Sequence, residues 1–387
     1  MRGFLAILFI TAIIGNTHSQ TRFNDYSWKE LLKKAETEQK LIFIDAYTDW
    51  CGWCKVMDKN TFSDTSVGKL MNEKFVNTKL EMEKSKLGVQ LAMKYSISSF
   101  PSFLIFNSKG QLVYTIIGYR DPENFIPELM AAIDESKHLK QPGYSHGFDV
   151  DYPDFYKNAF ENGKKKKFPD SLIVANYLSE NEITKEASWQ VAKRFYFFVS
   201  LTQAKAIAQH KEKIISLFGN EEYYDLITNI ANSKILKAQK DSNLTAATVA
   251  IDFGTQYGNF TKRNQNEAWL YFYKGIKNYE KAADFFDLIK ADTGNISAEY
   301  INGLAWDIYL ECNNLEIVNR AIAWIDAIPE KEMEWHIMDT QASLLYKANL
   351  SERAELMAKK AIEKAKLKGE NAKDTEVLLE KIKEKKQ

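Results

Sequence analysis

The chain has 387 residues, of which 45% are hydrophobic and 27% are charged. This is the balance of an ordinary globular protein, and it excludes a disordered, collagen-like or low-complexity chain. At about 150 residues per domain, the length predicts two to three structural units. The 52 Lys and Arg residues balance the 52 Asp and Glu residues, and a net charge of zero argues against nucleic acid as a partner. Three cysteines are too few for a disulfide-stapled scaffold.

The N-terminus predicts export. Arg2 is followed by a nearly apolar run from Phe4 to Ile14, which is shorter than the roughly 20 residues that span a bilayer. Small and polar residues follow, up to Ser19. We predict that residues 1–19 are a signal peptide and that the protein is exported, to the periplasm or as a secreted protein. An N-terminal anchor or a buried helix is the alternative.

Residues 20–138 alternate between helix and strand patterns, which predicts an α/β domain. Ser27 and Glu30 fit a capping box at the start of the first helix, and Asp121 with Pro122 begins the last one. Pro127 is expected to kink that last helix or to delay its start. Four helices are predicted: residues 28–39, a segment from Cys51 to about 63–65, residues 87–95, and a last helix that begins at 121. Four strands are predicted, at residues 41–44, 75–82, 103–106 and 111–117.

Residues 139–153 contain two prolines and two glycines, and we predict a linker there. From residue 154 to residue 387 the strand patterns fade and helical spacing recurs, which predicts an all-helical domain. The predicted helices are 189–201, 221–233, 267–274, 279–290, 300–312, 315–328, 335–346 and 351–368, with a tail helix in 370–387.

A weak repeat runs through part of this helical region. Ala268, Ala305 and Ala342 lie 37 residues apart, and each begins a helix that carries an aromatic residue a turn later. The pattern over about 266–368 resembles tetratricopeptide repeats, whose period is about 34 residues. An irregular helical bundle is the alternative. In either case the region offers a stacked surface for a possible protein partner.

The motif that carries chemistry is Trp50-Cys51-Gly52-Trp53-Cys54, between a buried strand and a helix. Cys51 would lie at the helix N-terminus, where free N–H groups and the positive end of the helix dipole stabilise a thiolate. Cys54, one turn inside the helix, is expected to be more buried and less ionised. Such a pair can close and reopen a disulfide: Cys51 attacks a substrate disulfide, and Cys54 then releases the product.

With this motif the chain resembles the thioredoxin family, over about residues 28–137. The match includes residues 43–55, Asp45 six positions before Cys51, Lys79, the Phe100-Pro101 pair and Gly118. The resemblance implies a central mixed sheet flanked by helices. It also implies that Asp45 is a buried proton relay paired with Lys79 and that Pro101 is cis and lies against the disulfide.

The resemblance further implies a protein-disulfide reductase or isomerase that needs no cofactor. Its partners would be protein or peptide thiols and disulfides, together with an upstream electron donor. Trp50, Trp53 and Phe100 would join Pro101 in a substrate-binding face. Gly52-Trp53 replaces the Gly-Pro pair of thioredoxin, which favours a reducing pair, and it also lacks the histidine of strongly oxidising relatives. We therefore infer a reducing or intermediate redox poise.

Each assignment has an alternative interpretation. The aromatic residues could belong to the core, Asp45 could be an exposed strand-end acid, and Lys79 a solvated strand lysine. A zinc site, or metal transfer by the cysteine pair, would need further ligands. The remaining candidates have the wrong spacing, so no metal is predicted; they are Cys312, His138, His146, His210 and His336. Cys312 is interpreted as a structural free thiol. At the level of the whole chain, the alternative is a binding protein whose helical repeats recognise a partner, with the thioredoxin-like part as a scaffold or redox switch.

Overall fold

A computed structural model describes residues 20–160, 168–293 and 296–385. The predicted signal peptide, residues 1–19, lies outside the described residues. The chain forms two compact units, one up to Leu226 and one from Ile227, and the division falls within a helix that spans Asn220–Lys240. In the part of the chain that is described, no helix combines the length and the apolar character that a membrane span requires.

The first unit is built around a four-stranded mixed sheet with the strand order β2-β1-β3-β4. The central strand β1 pairs in parallel with β2 and antiparallel with β3, and β3 and β4 form an antiparallel hairpin. This confirms the predicted thioredoxin-like α/β fold. The strands are β1 (Leu41–Tyr47), β2 (Phe75–Glu81), β3 (Ser102–Phe106) and β4 (Leu112–Ile117). The first helices are α1 (Trp28–Glu38), α2 (Gly52–Val56), α3 (Thr65–Lys74), α4 (Lys86–Tyr95) and α5 (Pro122–Ile133).

Strand β1 is buried on both faces, which explains its continuous apolar sequence. Phe43 packs into one hydrophobic cluster of the unit, and Ile42 and Ile44 pack into another on the opposite face. The strand therefore fixes the start of the loop that leads to Cys51, because it is held from both sides.

The helix boundaries agree with the sequence prediction at one place and differ from it at two. The capping box of Ser27 and Glu30 begins α1 as expected. Helix α3 was missed, although Asp64 accepts hydrogen bonds from the backbone N–H groups of Ser66 and Val67 and so caps its N-terminus. Helix α5 starts at Pro122 and continues through Pro127, so that the expected delay of its start is wrong.

The segment after the predicted domain end packs on the thioredoxin-like part. Tyr152 and Tyr156 are buried in the same hydrophobic cluster as Ile44, together with Val191 and Phe195. Residues 139–153, which were predicted to be a linker, therefore contribute side chains to the core of the first unit. The remaining helices of this unit are α6 (Asp154–Lys157), α7 (Ser171–Glu180), α8 (Glu186–Arg194), α9 (Leu201–Gln209) and α10 (Lys211–Phe218).

The second unit consists of helices joined by short turns, with no strand among its described residues. Successive helices pack as pairs: α13 with α14, α15 with α16 and α17 with α18. The helices from the division onward are α11 (Asn220–Lys240), α12 (Leu244–Tyr257), α13 (Lys262–Gly275), α14 (Tyr279–Thr293), α15 (Ala298–Glu311), α16 (Leu315–Asp326), α17 (Trp335–Lys347), α18 (Ser351–Leu367) and α19 (Lys373–Glu384).

Candidate redox site

Cys51 and Cys54 are joined by a disulfide at the start of α2, with an S–S distance of 2.09 Å. Cys51 is the N-cap residue of this helix, and its Sγ accepts a hydrogen bond from the backbone N–H of Cys54 at 3.0 Å. Donors at this position would stabilise the Cys51 thiolate once the pair is reduced. The expectation that Cys54 is the more buried of the two is wrong, since the exposed fractions of Cys51 and Cys54 are 4% and 5%. As whole residues, the two cysteines therefore differ by their place on the helix and not by burial.

Asp45 is a buried acid on β1. It is 1% exposed, which rules out the alternative of a solvated strand end. Its Oδ2 lies 3.1 Å from Nζ of Lys79, while Oδ1 is buried with no hydrogen-bond partner. Burial raises the pKa of Asp45 to about 6, against the opposing effect of the Lys79 charge. A carboxyl group with this pKa can gain or lose a proton near neutral pH.

Lys79 has a second acidic partner that the sequence analysis missed. The chain continues from α2 into a π-helical turn, Met57–Thr61, and Asp58 in that turn forms an ion pair with Lys79. Burial alone would lower the pKa of Lys79, but the charges of Asp45 and Asp58 outweigh it and the pKa is raised. Asp58 follows Cys54 by four residues, one helical turn, and that spacing was the available signal. Lys79 is therefore a charged bridge between strand and helix, not a freely solvated lysine.

The peptide bond between Phe100 and Pro101 is cis. Pro101 is buried, and its carbonyl oxygen accepts a hydrogen bond from the N–H of Gly118 at 2.8 Å. Gly118 has a φ of 84°, in the left-handed region that glycine adopts without steric strain. Ser102 donates its hydroxyl to the carbonyl oxygen of Ser99 at 2.7 Å. These bonds fix the loop before β3.

Two aromatic pairs lie at the surface beside the motif. Trp50 and Trp53 are each 60% exposed, which excludes the core alternative for both. Trp50 meets the half-buried Phe100 edge-to-face, with 5.9 Å between ring centroids, and Trp53 lies against Tyr119 at 5.3 Å. The indole N–H of Trp50 also donates to Glu83 at 2.9 Å. Tyr119 and Glu83 were missed, since both lie far along the chain from the motif.

The third cysteine lies far along the chain from this pair and takes no part in a disulfide. Cys312 is a free, buried thiol at the C-terminal end of α15. Within residues 20–160, 168–293 and 296–385, no group of three or more His, Cys, Asp or Glu side chains is placed to hold a metal ion.

Comparison with known proteins places the similarity in the N-terminal part of the chain. A family described as Thioredox_DsbH, a protein of unknown function (DUF255), matches residues 15–96. The thiol:disulfide interchange protein DsbD of Photorhabdus laumondii is 28% identical over 115 residues, which are 30% of this chain and 19% of that protein. DsbD of Colwellia psychrerythraea is 35% identical over 80 residues, 20% of this chain and 13% of that protein.

A solved structure is also similar to part of the chain. The solution structure of a proposed disulphide-isomerase from Bacteroides thetaiotaomicron is 38% identical, covers 30% of this chain and 95% of that protein, and has a TM-score of 0.28. The chain spans about a fifth or less of the length of the two DsbD relatives, so the similarity concerns one domain. The N-terminal region of this chain is a thioredoxin-like domain similar to those of the DsbD thiol:disulfide interchange proteins.

Proposed function

We propose that this chain is an exported enzyme that reduces or isomerises disulfides in other exported proteins. The observation that carries the proposal is the Cys51–Cys54 pair, closed as a disulfide, with the Cys51 sulfur at the N-terminus of α2. A pair in this position has one sulfur that is stabilised as a thiolate and a second one within reach to resolve the intermediate. Export rests on the apolar N-terminal run of the sequence.

In reduction, the Cys51 thiolate attacks one sulfur of the substrate disulfide, forms a mixed disulfide and expels the other sulfur as a thiolate. Cys54 then loses its proton and attacks Sγ of Cys51, which forms the disulfide seen in the structure and releases the reduced substrate. Two electrons pass from the dithiol to the substrate, so an upstream dithiol donor must reduce the pair again. In isomerisation a second substrate thiol resolves the mixed disulfide, and no net electrons are transferred.

Asp45 is proposed as the group that takes the proton from Cys54. Its pKa of about 6 is close to neutral pH, where a general base is most effective. Lys79 and Asp58 set the charge around it. The cis peptide at Pro101 and the exposed rings of Trp50 and Trp53, with Phe100, are proposed as the face on which the substrate chain docks.

The test is reduction of insulin disulfides by the mature chain with dithiothreitol as the dithiol donor. We expect activity in the wild type, none in Cys51→Ser, and accumulation of a mixed disulfide in Cys54→Ser. Cys312→Ser is the matched control, and it should retain full activity because Cys312 is a separate buried thiol. A wild type as inactive as Cys51→Ser on protein disulfides would refute the proposal. Recovery of scrambled ribonuclease, compared with insulin reduction, separates isomerase from reductase.

A second candidate is a binding protein in which the helical unit recognises a partner. It is favoured by a regular helical period: α13, α15 and α17 begin at residues 262, 298 and 335, and α14, α16 and α18 at 279, 315 and 351. Contacts repeat with a similar separation, as between Lys274 and Asp307 and between Thr375 and Asp339. We propose that this array is tetratricopeptide-like. If a Cys51→Ser, Cys54→Ser chain captures the same partner as the wild type, recognition belongs to the helices.

A further inference from the structure

The loop from Ser96 to Pro101 connects the end of α4 to β3 and carries the cis peptide of the candidate site. At its C-terminal side it is held by the thioredoxin-like fold itself, through the Gly118 N–H on the Pro101 carbonyl oxygen and through Ser102 on Ser99. Its N-terminal side is held by residues that follow the thioredoxin-like fold in the chain. None of the residues in the Trp50–Cys54 motif takes part in that second anchor.

The second anchor is formed by Tyr156 and Gln190, both fully buried. The Tyr156 hydroxyl donates to the carbonyl oxygen of Met93 at 2.5 Å and lies 3.0 Å from the Ser96 hydroxyl. The Ser96 hydroxyl donates to Oε1 of Gln190 at 2.7 Å. Ser96 is the left-handed C-cap of α4, with a φ of 53°, and its side chain therefore leaves the helix at the start of the loop.

A buried ion pair secures the same end of α4. Lys94, 4% exposed, places Nζ 3.0 Å from a carboxylate oxygen of Glu186 and donates also to the Ser145 hydroxyl and the Gly147 carbonyl oxygen. The other oxygen of Glu186 accepts the backbone N–H of Ser145 at 2.7 Å. A buried charge in a network of this kind is costly to displace, so the end of α4 has one position relative to α8.

The distance along the chain from this anchor to the cis peptide is short. Only residues 97–100 separate Ser96 from Pro101, and Ile97 and Phe100 pack against the hydrophobic cluster that contains Tyr156. Four residues reach at most about 14 Å, and less when they turn, so the loop cannot absorb a shift of Ser96 without moving Phe100. Phe100 in turn contacts Trp50 of the motif.

We propose that Tyr156 and Gln190 are positioning residues for the loop that carries Pro101, so that the helical segment after the thioredoxin-like fold sets the geometry of the substrate-docking face. This inference rests on the proposed function for what docks there. The proposal gives Tyr156 and Gln190 no direct role at Cys51 or Cys54. They act on substrate binding through Ser96, and the thiol chemistry of Cys51 does not depend on them.

The test compares Tyr156→Phe with Tyr152→Phe in the full chain. Tyr152 is also buried and stacks on Tyr156, but its hydroxyl bonds to Glu186, which keeps Lys94 and Ser145 as partners. With insulin as substrate, Tyr156→Phe should raise KM about fivefold, the effect of one buried hydrogen bond, with kcat and the alkylation rate of reduced Cys51 unchanged. Tyr152→Phe should lose similar stability and leave KM unchanged.

A second readout does not depend on activity. Hydrogen–deuterium exchange of the peptide that covers residues 97–101 should be faster in Tyr156→Phe and unchanged in Tyr152→Phe. Gln190→Met, which loses the bond to Ser96 and also the bond to the Tyr144 hydroxyl, should repeat the Tyr156→Phe result and decides the question if Tyr156→Phe does not fold. Equal exchange of this peptide in wild type, Tyr156→Phe and Gln190→Met would overturn the inference. An inactive wild type with faster exchange in both variants would refute the proposed function alone.

Discussion

Replacement of Asp45 by asparagine should make the first unit more stable at neutral pH. Burial raises the pKa of Asp45 from an ordinary value of 3.8 to about 6. Since a tenfold change in an acidity constant corresponds to about 1.4 kcal/mol, ionising this group costs about 3 kcal/mol more in the folded protein than in the unfolded chain. The wild type carries this cost whenever Asp45 is ionised, whereas the Asp45→Asn variant has no group to ionise at this position and carries no such cost at any pH.

The sign of the pH dependence follows from the direction of the change. Because the folded pKa of Asp45 is the higher one, its stabilising contribution is fully present below about pH 4, decreases as the pH rises through about 6, and stays low above that. The free energy of unfolding of the wild type should therefore fall by about 2.5 kcal/mol between pH 4 and pH 8 relative to Asp45→Asn, because part of the loss already occurs below pH 4.

The measurement is native-state hydrogen exchange of the oxidised full chain, read at the slowest amides of β1 and β3, which report unfolding of this unit. Asp49→Asn is the matched control, since Asp49 is an exposed acid that pairs with Lys84 and its loss leaves Asp45 ionisable. If Asp45→Asn and the wild type show the same pH slope, Asp45 does not titrate between pH 4 and pH 8 and the reasoning about its burial is wrong.

Four further substitutions test the charges around Asp45 and the anchor of α4. Lys79→Met should raise the pH midpoint of the Asp45 titration above its wild-type value, because the Lys79 charge lowers the pKa of Asp45. Carboxyl NMR measures this midpoint, and an unchanged value would contradict an ion pair between Asp45 and Lys79. Asp58→Asn should lower the same midpoint, because the Asp58 charge raises that pKa. Glu186→Gln should cost about 3 kcal/mol of unfolding free energy in denaturant titration, because Lys94 stays buried without its carboxylate. Lys94→Met in the same chain should recover part of that loss, and no recovery would count against the ion pair.

The sequence was most informative where the structure depends on neighbouring residues. The capping box at Ser27, the buried strand before Asp45 and the Cys51–Cys54 spacing are local patterns, and each is found where it was predicted. The closeness of Asp45 and Lys79 is a step further, since it needs the parallel register of β1 and β2. It was predictable only through the resemblance to thioredoxin, which supplies that register.

Two kinds of feature were not predicted: one local helix boundary, and contacts between distant residues that follow no period. Helix α3 was overlooked because Asp64 was interpreted as the end of one helix and not as the cap of the next. Pro and Gly between residues 139 and 153 suggested a linker, but Tyr152 in that segment is buried in the core of the first unit. The bond between Ser96 and Gln190 joins residues 94 positions apart, and no spacing in the sequence points to it.

These contacts separate two properties of the proposed enzyme along the chain. The groups that govern sulfur chemistry, Cys51, Cys54 and the acid Asp45, are all held by β1 and α2. The groups that hold the N-terminal side of the cis-proline loop, Tyr156 and Gln190, belong to the helical segment that follows. Substitutions in that segment can therefore change how a substrate chain is bound while the reactivity of the thiol stays the same. On this proposal, the docking face formed by the motif and the cis-proline loop depends for its geometry on residues that lie outside the motif and outside the region that resembles the family.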